Sequence, residues 1–115
     1  MRKVKTAAVQ MRCEKQVQDN IAHAEELVRK AAAEGAQIIL LPELFERPYF
    51  CQERRYEYYQ YAKPVMENEA VCRFRQVARE LSVVLPVSFY ERDRNLLFNS
   101  VAVLDADGSI LWIYR

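Results

Sequence analysis

The apolar positions near the start of the chain predict a strand followed by a helix. Residues 4–11 are small or β-favouring, and Val9 and Met11 stand two positions apart, on one face of an extended segment. From about Gln16 the apolar residues return at intervals of four and three, which predicts an amphipathic helix that ends at Gly35. The apolar face of this helix consists of Val17, Ile21, Ala24, Val28 and Ala31.

A second strand is predicted directly after this helix. Residues 37–41 contain four consecutive large apolar side chains, a pattern typical of a strand covered on both faces, and Pro42 ends the run. Strand, helix and buried strand form a parallel βαβ unit, in which the crossover is almost always right-handed. The sequence therefore predicts the α/β class.

The second half of the chain predicts one more helix and three more strands. Apolar residues on one face predict a helix from Asn68, a suitable N-cap, to Leu81. The strands are predicted over residues 83–90, 98–104 and 109–114. The turns between them are predicted at 91–95 and at 105–108, where Gly108 supplies the positive φ. The sheet should therefore be mixed, with two helices on one face.

The opposite face of this sheet has no predicted covering layer. The last strand, ILWIY over residues 110–114, is apolar and is followed only by Arg115. Soluble monomers rarely expose an apolar area of several hundred Å². We therefore expect either a fragment of a larger domain or a chain that obtains its second layer elsewhere, and we expect a homo-oligomer.

Composition and charge restrict the classes of partner. The 115 residues carry a net charge of +1, with 51% hydrophobic and 29% charged residues, as in an ordinary globular domain. This balance gives no electrostatic footprint for nucleic acid or an anionic membrane. No segment has the pattern of a signal peptide or a membrane span. We expect a cytoplasmic protein with neither nucleic acid nor membrane as a partner.

The cysteines and the single histidine do not predict a metal site. Cys13, Cys51 and Cys72 form no CxxC pair, and their odd number suits neither a disulfide framework nor zinc. His23 lies inside the first predicted helix with no second histidine in the chain. We expect reduced thiols and no metal.

One carboxylate, Glu43, stands where chemistry is expected in an α/β sheet. It follows the second strand, and ligands gather beyond the carboxyl ends of parallel strands. The loop from 42 to 67 is long and rich in aromatic residues, so it should be packed. Position alone leaves two interpretations of Glu43 open, a general base or the first exposed residue after a strand. For Cys51, an inert packed thiol is a better interpretation than a nucleophile.

Four stretches of the chain resemble the nitrilase superfamily of carbon-nitrogen hydrolases, in the order and with the separations of that family. The motif LPELF is the most specific, and PYFCQ with PVSFYE points to the N-carbamoylputrescine amidase branch. Together the stretches cover essentially the whole chain. They are AAVQM (7–11), GAQIILLPELFERPYFCQ (35–52), PVSFYE (86–91) and NSVAVLDADGSILWIYR (99–115).

The resemblance implies an αββα sandwich and a Glu-Lys-Cys triad that needs no cofactor. Glu43 matches the triad glutamate, which takes a proton from the cysteine thiol. The implied substrate is a small carbamoyl amine, N-carbamoylputrescine, and the implied products are putrescine, ammonia and carbon dioxide. Tyr49 and Phe50 are expected in the wall of the substrate pocket.

Two departures from the family pattern limit what the chain alone should do. The family lysine follows the Tyr-Arg pair of the IYR motif, so residues 1–115 would be the N-terminal part of one hydrolase domain, truncated before the lysine and the cysteine. Because the lysine and the cysteine are missing, we expect the 115 residues alone to be inactive. The second departure is Arg47, which stands where relatives usually carry glycine. The alternatives are a β-ureidopropionase-like or ω-amidase enzyme, and a noncatalytic interaction fragment.

Overall fold

The computed structural model describes all 115 residues as two helices packed on one face of a five-stranded arrangement. A segment with two short 3₁₀ helices, Tyr56–Tyr61 and Val65–Glu67, precedes the second α-helix. In chain order the main elements are β1 (Thr6–Ala8), α1 (Val17–Ala33), β2 (Ile38–Leu40), α2 (Glu69–Leu81), β3 (Leu85–Asp93), β4 (Leu96–Leu104) and β5 (Ile110–Tyr114).

The strands lie in the order β1-β2-β3-β4-β5 and form the expected mixed sheet. β1 and β2 are parallel, whereas β3, β4 and β5 are successive antiparallel neighbours. A parallel bridge between Ile38 and Val84 joins the two groups. Its hydrogen bonds run from the Ile39 amide to the Val84 carbonyl (3.0 Å) and from the Val84 amide to the Gln37 carbonyl (2.9 Å).

The core lies between the helices and one face of the sheet. Alternate residues of each long strand point to opposite faces, so the buried positions repeat every second residue. In β3 these are Leu85, Val87 and Phe89, and in α2 the apolar stripe includes Phe74 and Val77. On the same face of the β1 segment, Val9 and Met11 pack against this core, as predicted from their spacing.

The other face of the sheet is open to solvent. The apolar run of β2 had predicted a strand covered on both faces. This prediction is wrong, because Leu40 is 50% exposed and β2 is covered on one face only. In β5, Trp112 and Tyr114 are 58% and 72% exposed. They share this face with Val103 and Val101, their partners in β4. The apolar character of the strands thus exceeds what two helices can cover.

Local signals in the sequence set two boundaries as predicted. The Asn68 side chain caps α2 by accepting a hydrogen bond from the Val71 amide (2.9 Å). Gly108 has φ of +85° in the β4–β5 turn, and a Cβ there would lie 2.7 Å from the Arg75 carbonyl oxygen. Glycine is therefore required at this turn for both conformation and space.

The predicted turn over residues 91–95 is wrong in one respect. β3 continues to Asp93 and β4 begins at Leu96, so the turn is shorter than the polar run that predicted it. Glu91 belongs to the strand and is only 2% exposed. Its carboxylate is paired with Arg115, a partner distant in the sequence, which allows a charged residue at a buried strand position.

The two helices are also joined by an ion-pair cluster on the protein surface. The Glu25 carboxylate of α1, 16% exposed, accepts two hydrogen bonds of 2.7 Å from Arg73 of α2 and further bonds from Arg29. Arg29 also contacts Glu80 of α2 (2.6 Å). Arg73 and Arg29 hold the pKa of Glu25 below the ordinary carboxyl value.

Neither α1 nor α2 has the length and the apolar composition that a membrane-spanning helix requires.

We expect Glu25→Gln to lower the free energy of unfolding by about 1 kcal/mol at neutral pH, the upper end for a partly exposed ion pair. The folded-state pKa of Glu25 lies below its unfolded value. The contribution is therefore complete above the unfolded pKa and is lost as the pH falls through the folded pKa. Urea unfolding between pH 7 and pH 3 should show the two proteins converging toward acid pH. A constant difference across this range would contradict this assignment, and Glu26→Gln on the same helix serves as the control.

Candidate active site

Glu43 lies in a tight turn directly beyond the carboxyl end of β2. Pro42 restricts the backbone before it, and Leu44 after it adopts a left-handed conformation with φ of +50°. The Leu44 amide donates a hydrogen bond of 2.9 Å to the hydroxyl oxygen of Ser88, a buried residue of β3. A left-handed conformation costs a leucine about 1–2 kcal/mol. The turn persists because the buried Leu44 side chain and this hydrogen bond offset that cost.

The Glu43 side chain faces the open side of the sheet, where Asn99 of β4 contacts it. Asn99 pairs with Tyr90 across the β3–β4 ladder and shares the open face with it. The Asn99 side-chain amide donates a short hydrogen bond to Oε1 of Glu43. The carboxylate is therefore exposed yet held in one orientation by a residue from a different strand.

The loop after Glu43 is packed around a cluster of aromatic rings, as its composition predicted. Phe50 is the centre of this cluster, with ring centroids 5.4 Å from Tyr58, 5.6 Å from Tyr61 and 5.2 Å from Tyr90. Such edge-on and tilted contacts contribute stability beyond burial alone. Because Tyr90 belongs to β3, the cluster fixes the loop against the sheet beside Glu43.

Arg47 is also part of this cluster. Its guanidinium lies 3.9 Å from the centre of the Tyr61 ring, and the Tyr61 ring in turn stacks on Tyr58. A cation over an aromatic face is attracted by the negative charge of the ring face. The arginine therefore packs onto the loop itself.

A cavity of about 440 Å³ opens between this loop and the strands. Its volume is that of a small-molecule site. Phe50 and Tyr90 line its wall, and Leu44 and Asn99 place it directly beside Glu43. The rest of the lining is Cys51, Glu53, Arg54, Arg55, Tyr56, Tyr58 and Tyr59.

The mouth of this cavity carries more positive than negative charge. The Glu53 carboxylate is engaged by Arg55 (2.8 Å) and by the Tyr58 hydroxyl (3.1 Å). Arg54 also lines the cavity and has no ion pair. The mouth therefore combines an aromatic wall with one uncompensated positive charge.

Tyr49, the other predicted pocket residue, lines a neighbouring cavity of about 270 Å³ that it shares with Phe50 and Arg47. The negative charge of Glu43 is the main cause that raises the pKa of Tyr49, followed by the charge of Cys51. Glu43, Tyr49 and Cys51 thus lie within electrostatic reach of one another. Phe50, Glu53 and Tyr58 line both cavities.

The interpretation of Cys51 as a packed thiol is wrong, since Cys51 is exposed at the cavity mouth. It lies on a turn next to Phe50, which is the half-buried residue at the centre of the aromatic cluster. Cys13 and Cys72 are the half-buried thiols: burial raises the pKa of Cys13, and the thiol of Cys72 donates to the Met66 carbonyl.

The last residue, Arg115, is anchored on the helix side of the sheet. Its guanidinium pairs with Glu91 and with Asp93 (2.8 Å) and lies 4.4 Å from the centre of the Phe98 ring. The Ser100 hydroxyl donates a hydrogen bond of 3.3 Å to the same Glu91 carboxylate. The end of β5 is therefore held in place by side chains of β3 and β4.

Sequence reasoning did not single out Asn99 and Ser88 for the site. The available signals were polar residues that interrupt the apolar parts of the two strands, VSF in β3 and FNS in β4. An asparagine at an exposed strand position is usually solvated. Only the register that sets Asn99 beside the turn after β2 gives it a partner.

Sequence comparison identifies the family to which the chain belongs. A family model described as carbon-nitrogen hydrolase matches residues 5–115, and the chain belongs to that family. At the level of single proteins, it is 49% identical over 113 residues to an N-carbamoylputrescine amidase of Oryza sativa. It is 41% identical over 115 residues to a citrullinase of Francisella tularensis.

These alignments cover almost all of the chain but only 38% and 40% of the two relatives, so the chain spans about two fifths of their length. Among solved structures, a carbon-nitrogen hydrolase from Helicobacter pylori matches 97% of the chain with a TM-score of 0.88 and 27% identity. The chain covers 39% of that structure. The expected nitrilase-like α/β fold is therefore confirmed.

We expect Arg47→Ala to lower the free energy of unfolding by about 1 kcal/mol, since it removes the cation from the Tyr61 ring and exposes that ring. Arg54→Ala in the same loop is the matched control, because Arg54 stacks on no ring. Urea unfolding of both variants measures the difference. Equal stabilities would show that the Arg47 contact contributes nothing.

Proposed function

We propose that this chain is the N-terminal part of one carbon-nitrogen hydrolase domain in a thiol amidohydrolase. The complete enzyme hydrolyses N-carbamoylputrescine to putrescine, ammonia and carbon dioxide, a step of polyamine synthesis, and needs no cofactor or metal. The similarity to plant N-carbamoylputrescine amidases, at 46–49% identity, supports the substrate. The geometry around Glu43 supports its role as the general base.

Glu43 first removes the proton from a cysteine thiol, and the thiolate attacks the carbamoyl carbon. A lysine stabilises the negative charge that develops on the carbonyl oxygen. The C–N bond then breaks, and the leaving nitrogen takes the proton that Glu43 holds. Water, deprotonated by Glu43, then attacks the carbamoyl carbon, and the C–S bond breaks as the sulfur takes back that proton. The carbamic acid released in this step breaks down to ammonia and carbon dioxide. The lysine and the cysteine would come from the part of the protein after Arg115.

The β4–β5 register is the observation that carries this proposal. Tyr114 lies opposite Val101, on the open face of the sheet. Continued past Arg115, the same register would place the next residue opposite Asn99 and on the face where Asn99 contacts Glu43. The resemblance to the family implies a lysine at that next position, in which case base and oxyanion donor would meet at the mouth of the aromatic cavity.

The aromatic cavity suits the remainder of the substrate. Phe50 and Tyr90 offer apolar surface for a four-carbon chain, and the tyrosine faces attract a terminal ammonium. Tyr49 lines the second cavity and lies within electrostatic reach of Glu43.

The remaining parts of the proposal concern assembly and location. The open sheet face around Trp112 and Tyr114 supports an αββα sandwich, in which a second layer from the rest of the protein covers this face. A homo-oligomer of the complete enzyme would then form through another surface. Three free cysteines are consistent with a reducing, cytoplasmic compartment. The 115 residues alone should not turn over substrate.

One observation favours a second candidate substrate class. Arg54 places an unpaired positive charge at the cavity mouth, where it repels an ammonium and attracts a carboxylate. Ureido acids such as N-carbamoyl-β-alanine or citrulline carry that carboxylate, and a citrullinase is among the relatives. A β-ureidopropionase-like activity is therefore the alternative.

For the protein expressed from its complete reading frame, we expect ammonia and putrescine release from N-carbamoylputrescine. Glu43→Gln should lower kcat/KM by about a thousandfold, because the amide keeps the shape and the Asn99 contact but cannot accept the thiol proton. Glu57→Gln, an exposed carboxylate in the same loop, is the control and should match the wild type. A Glu43→Gln enzyme with full activity would refute the assigned base, and equal activity on all carbamoyl compounds would refute the substrate.

The second candidate is tested by Arg54→Gln in the same protein. If ureido acids are the substrates, kcat/KM for N-carbamoyl-β-alanine and citrulline should fall about threefold to tenfold, as expected for loss of one exposed ion pair. Activity on N-carbamoylputrescine should stay equal or rise. Arg94→Gln, in the β3–β4 turn, controls for net charge. A negligible wild-type rate on both ureido acids would eliminate this alternative.

A further inference from the structure

The turn that carries Glu43 is held at its far end by Glu46, three residues later. We propose that Glu46, together with Asn68 and Asn20, is a positioning residue that sets the direction of the Glu43 carboxylate. This inference rests on the proposed role of Glu43 as the base. Glu46 itself faces the helices, so it acts on the reaction only through the turn.

Glu46 binds the N-terminus of α2 through both of its carboxylate oxygens. Oε1 accepts a hydrogen bond from the Ala70 amide (3.1 Å), and Oε2 accepts one from the Asn68 side-chain amide (3.2 Å). Because the Asn68 oxygen already accepts the Val71 amide, the Asn68 side chain can present only its NH₂ group to Glu46. In this contact the Asn68 side chain must therefore be the donor and the Glu46 carboxylate the acceptor.

The main chain of Glu46 is fixed from a second direction by Asn20, a buried residue of α1. The Asn20 amide group donates to the Glu46 carbonyl (2.8 Å) and to the Glu14 carbonyl (2.8 Å). Its oxygen accepts the Glu14 amide (2.6 Å). One asparagine thus joins the segments that follow β1 and β2, and all of its hydrogen-bonding groups are used.

The connection from Glu46 back to Glu43 is short and stiff. Phe45 is fully buried and its ring meets that of Phe74 in α2 edge-on, with centroids 5.8 Å apart. Leu44 is held in its left-handed conformation by Ser88. No glycine interrupts the four residues, so a displacement of Glu46 must shift Glu43 or break a buried contact.

Burial raises the pKa of Glu46, which means that its charged form is unfavourable where it lies. An apolar side chain would avoid that cost, yet it would leave the Ala70 amide and the Asn68 amide group without partners. The carboxylate therefore secures geometry at the expense of stability, as is common for residues that support a site.

An exchange of polarity between the two side chains tests the proposal in the protein expressed from its complete reading frame. Glu46→Gln alone brings the NH₂ group of Gln next to the NH₂ group of Asn68, so that two donors face each other. Asn68→Asp alone brings a second carboxylate next to that of Glu46, so that two acceptors face each other. The double variant restores every hydrogen bond, since Gln can donate to Asp while Asp still caps α2. Each single change should lower kcat about tenfold or more with KM within about twofold, and the double variant should return to within about threefold of the wild type.

A second readout does not depend on activity. Hydrogen exchange of the Leu44 amide should accelerate about tenfold or more in each single variant, above any acceleration of core amides, and should recover in the double variant. Val28→Ala is the control, because it weakens the core in α1 and removes none of the hydrogen bonds that hold the turn.

The outcomes separate this inference from the proposed function. A wild-type protein without amidase activity refutes the function, and the Leu44 exchange then decides the inference alone. Val28→Ala is compared with each single variant at an equal loss of unfolding free energy. The proposal is overturned if the single variants then lower kcat and accelerate Leu44 exchange no more than Val28→Ala does. It is also overturned if the double variant fails to recover Leu44 exchange.

Discussion

The parallel pairing of β2 with β3 is the interaction on which the rest of the structure depends. Two main-chain hydrogen bonds around Val84 connect a parallel pair of strands to an antiparallel three-stranded meander. They align the carboxyl end of β2 with the middle of β3 and β4. Without this alignment the turn after β2 would not reach Ser88, and Glu43 would not meet Asn99. A site assembled from three strands is thus a consequence of one strand junction.

The residues around the site divide into two layers with different physical roles. On the helix side, hydrogen bonds from the side chains of Asn20, Glu46 and Asn68 fix the main chain. Each donor and acceptor in these bonds has one defined partner. On the open side, aromatic rings around Phe50 provide surface and shape without directional bonds. Directional bonds suit the placement of a reacting group, whereas rings suit the accommodation of an apolar ligand.

The features that follow from neighbouring residues could be predicted from the sequence. The N-cap at Asn68 and the glycine turn at Gly108 are of this kind, and the position of the candidate glutamate follows from the strand that precedes it. The burial of Glu91 could not be predicted, because it depends on pairing with Arg115 across two strands. The contact of Asn99 likewise depends on register, and a one-residue shift would turn it to the other face.

The intrinsic fluorescence of the single tryptophan can be used to follow the open face of the sheet. Trp112 is the only tryptophan in the chain, and it lies on that face, next to Val103 and largely in water. Indole emission shifts to shorter wavelength when water around the ring is replaced by apolar surface. The fluorescence of this residue therefore reports whether the face is covered, independently of any enzymatic assay and without an added label.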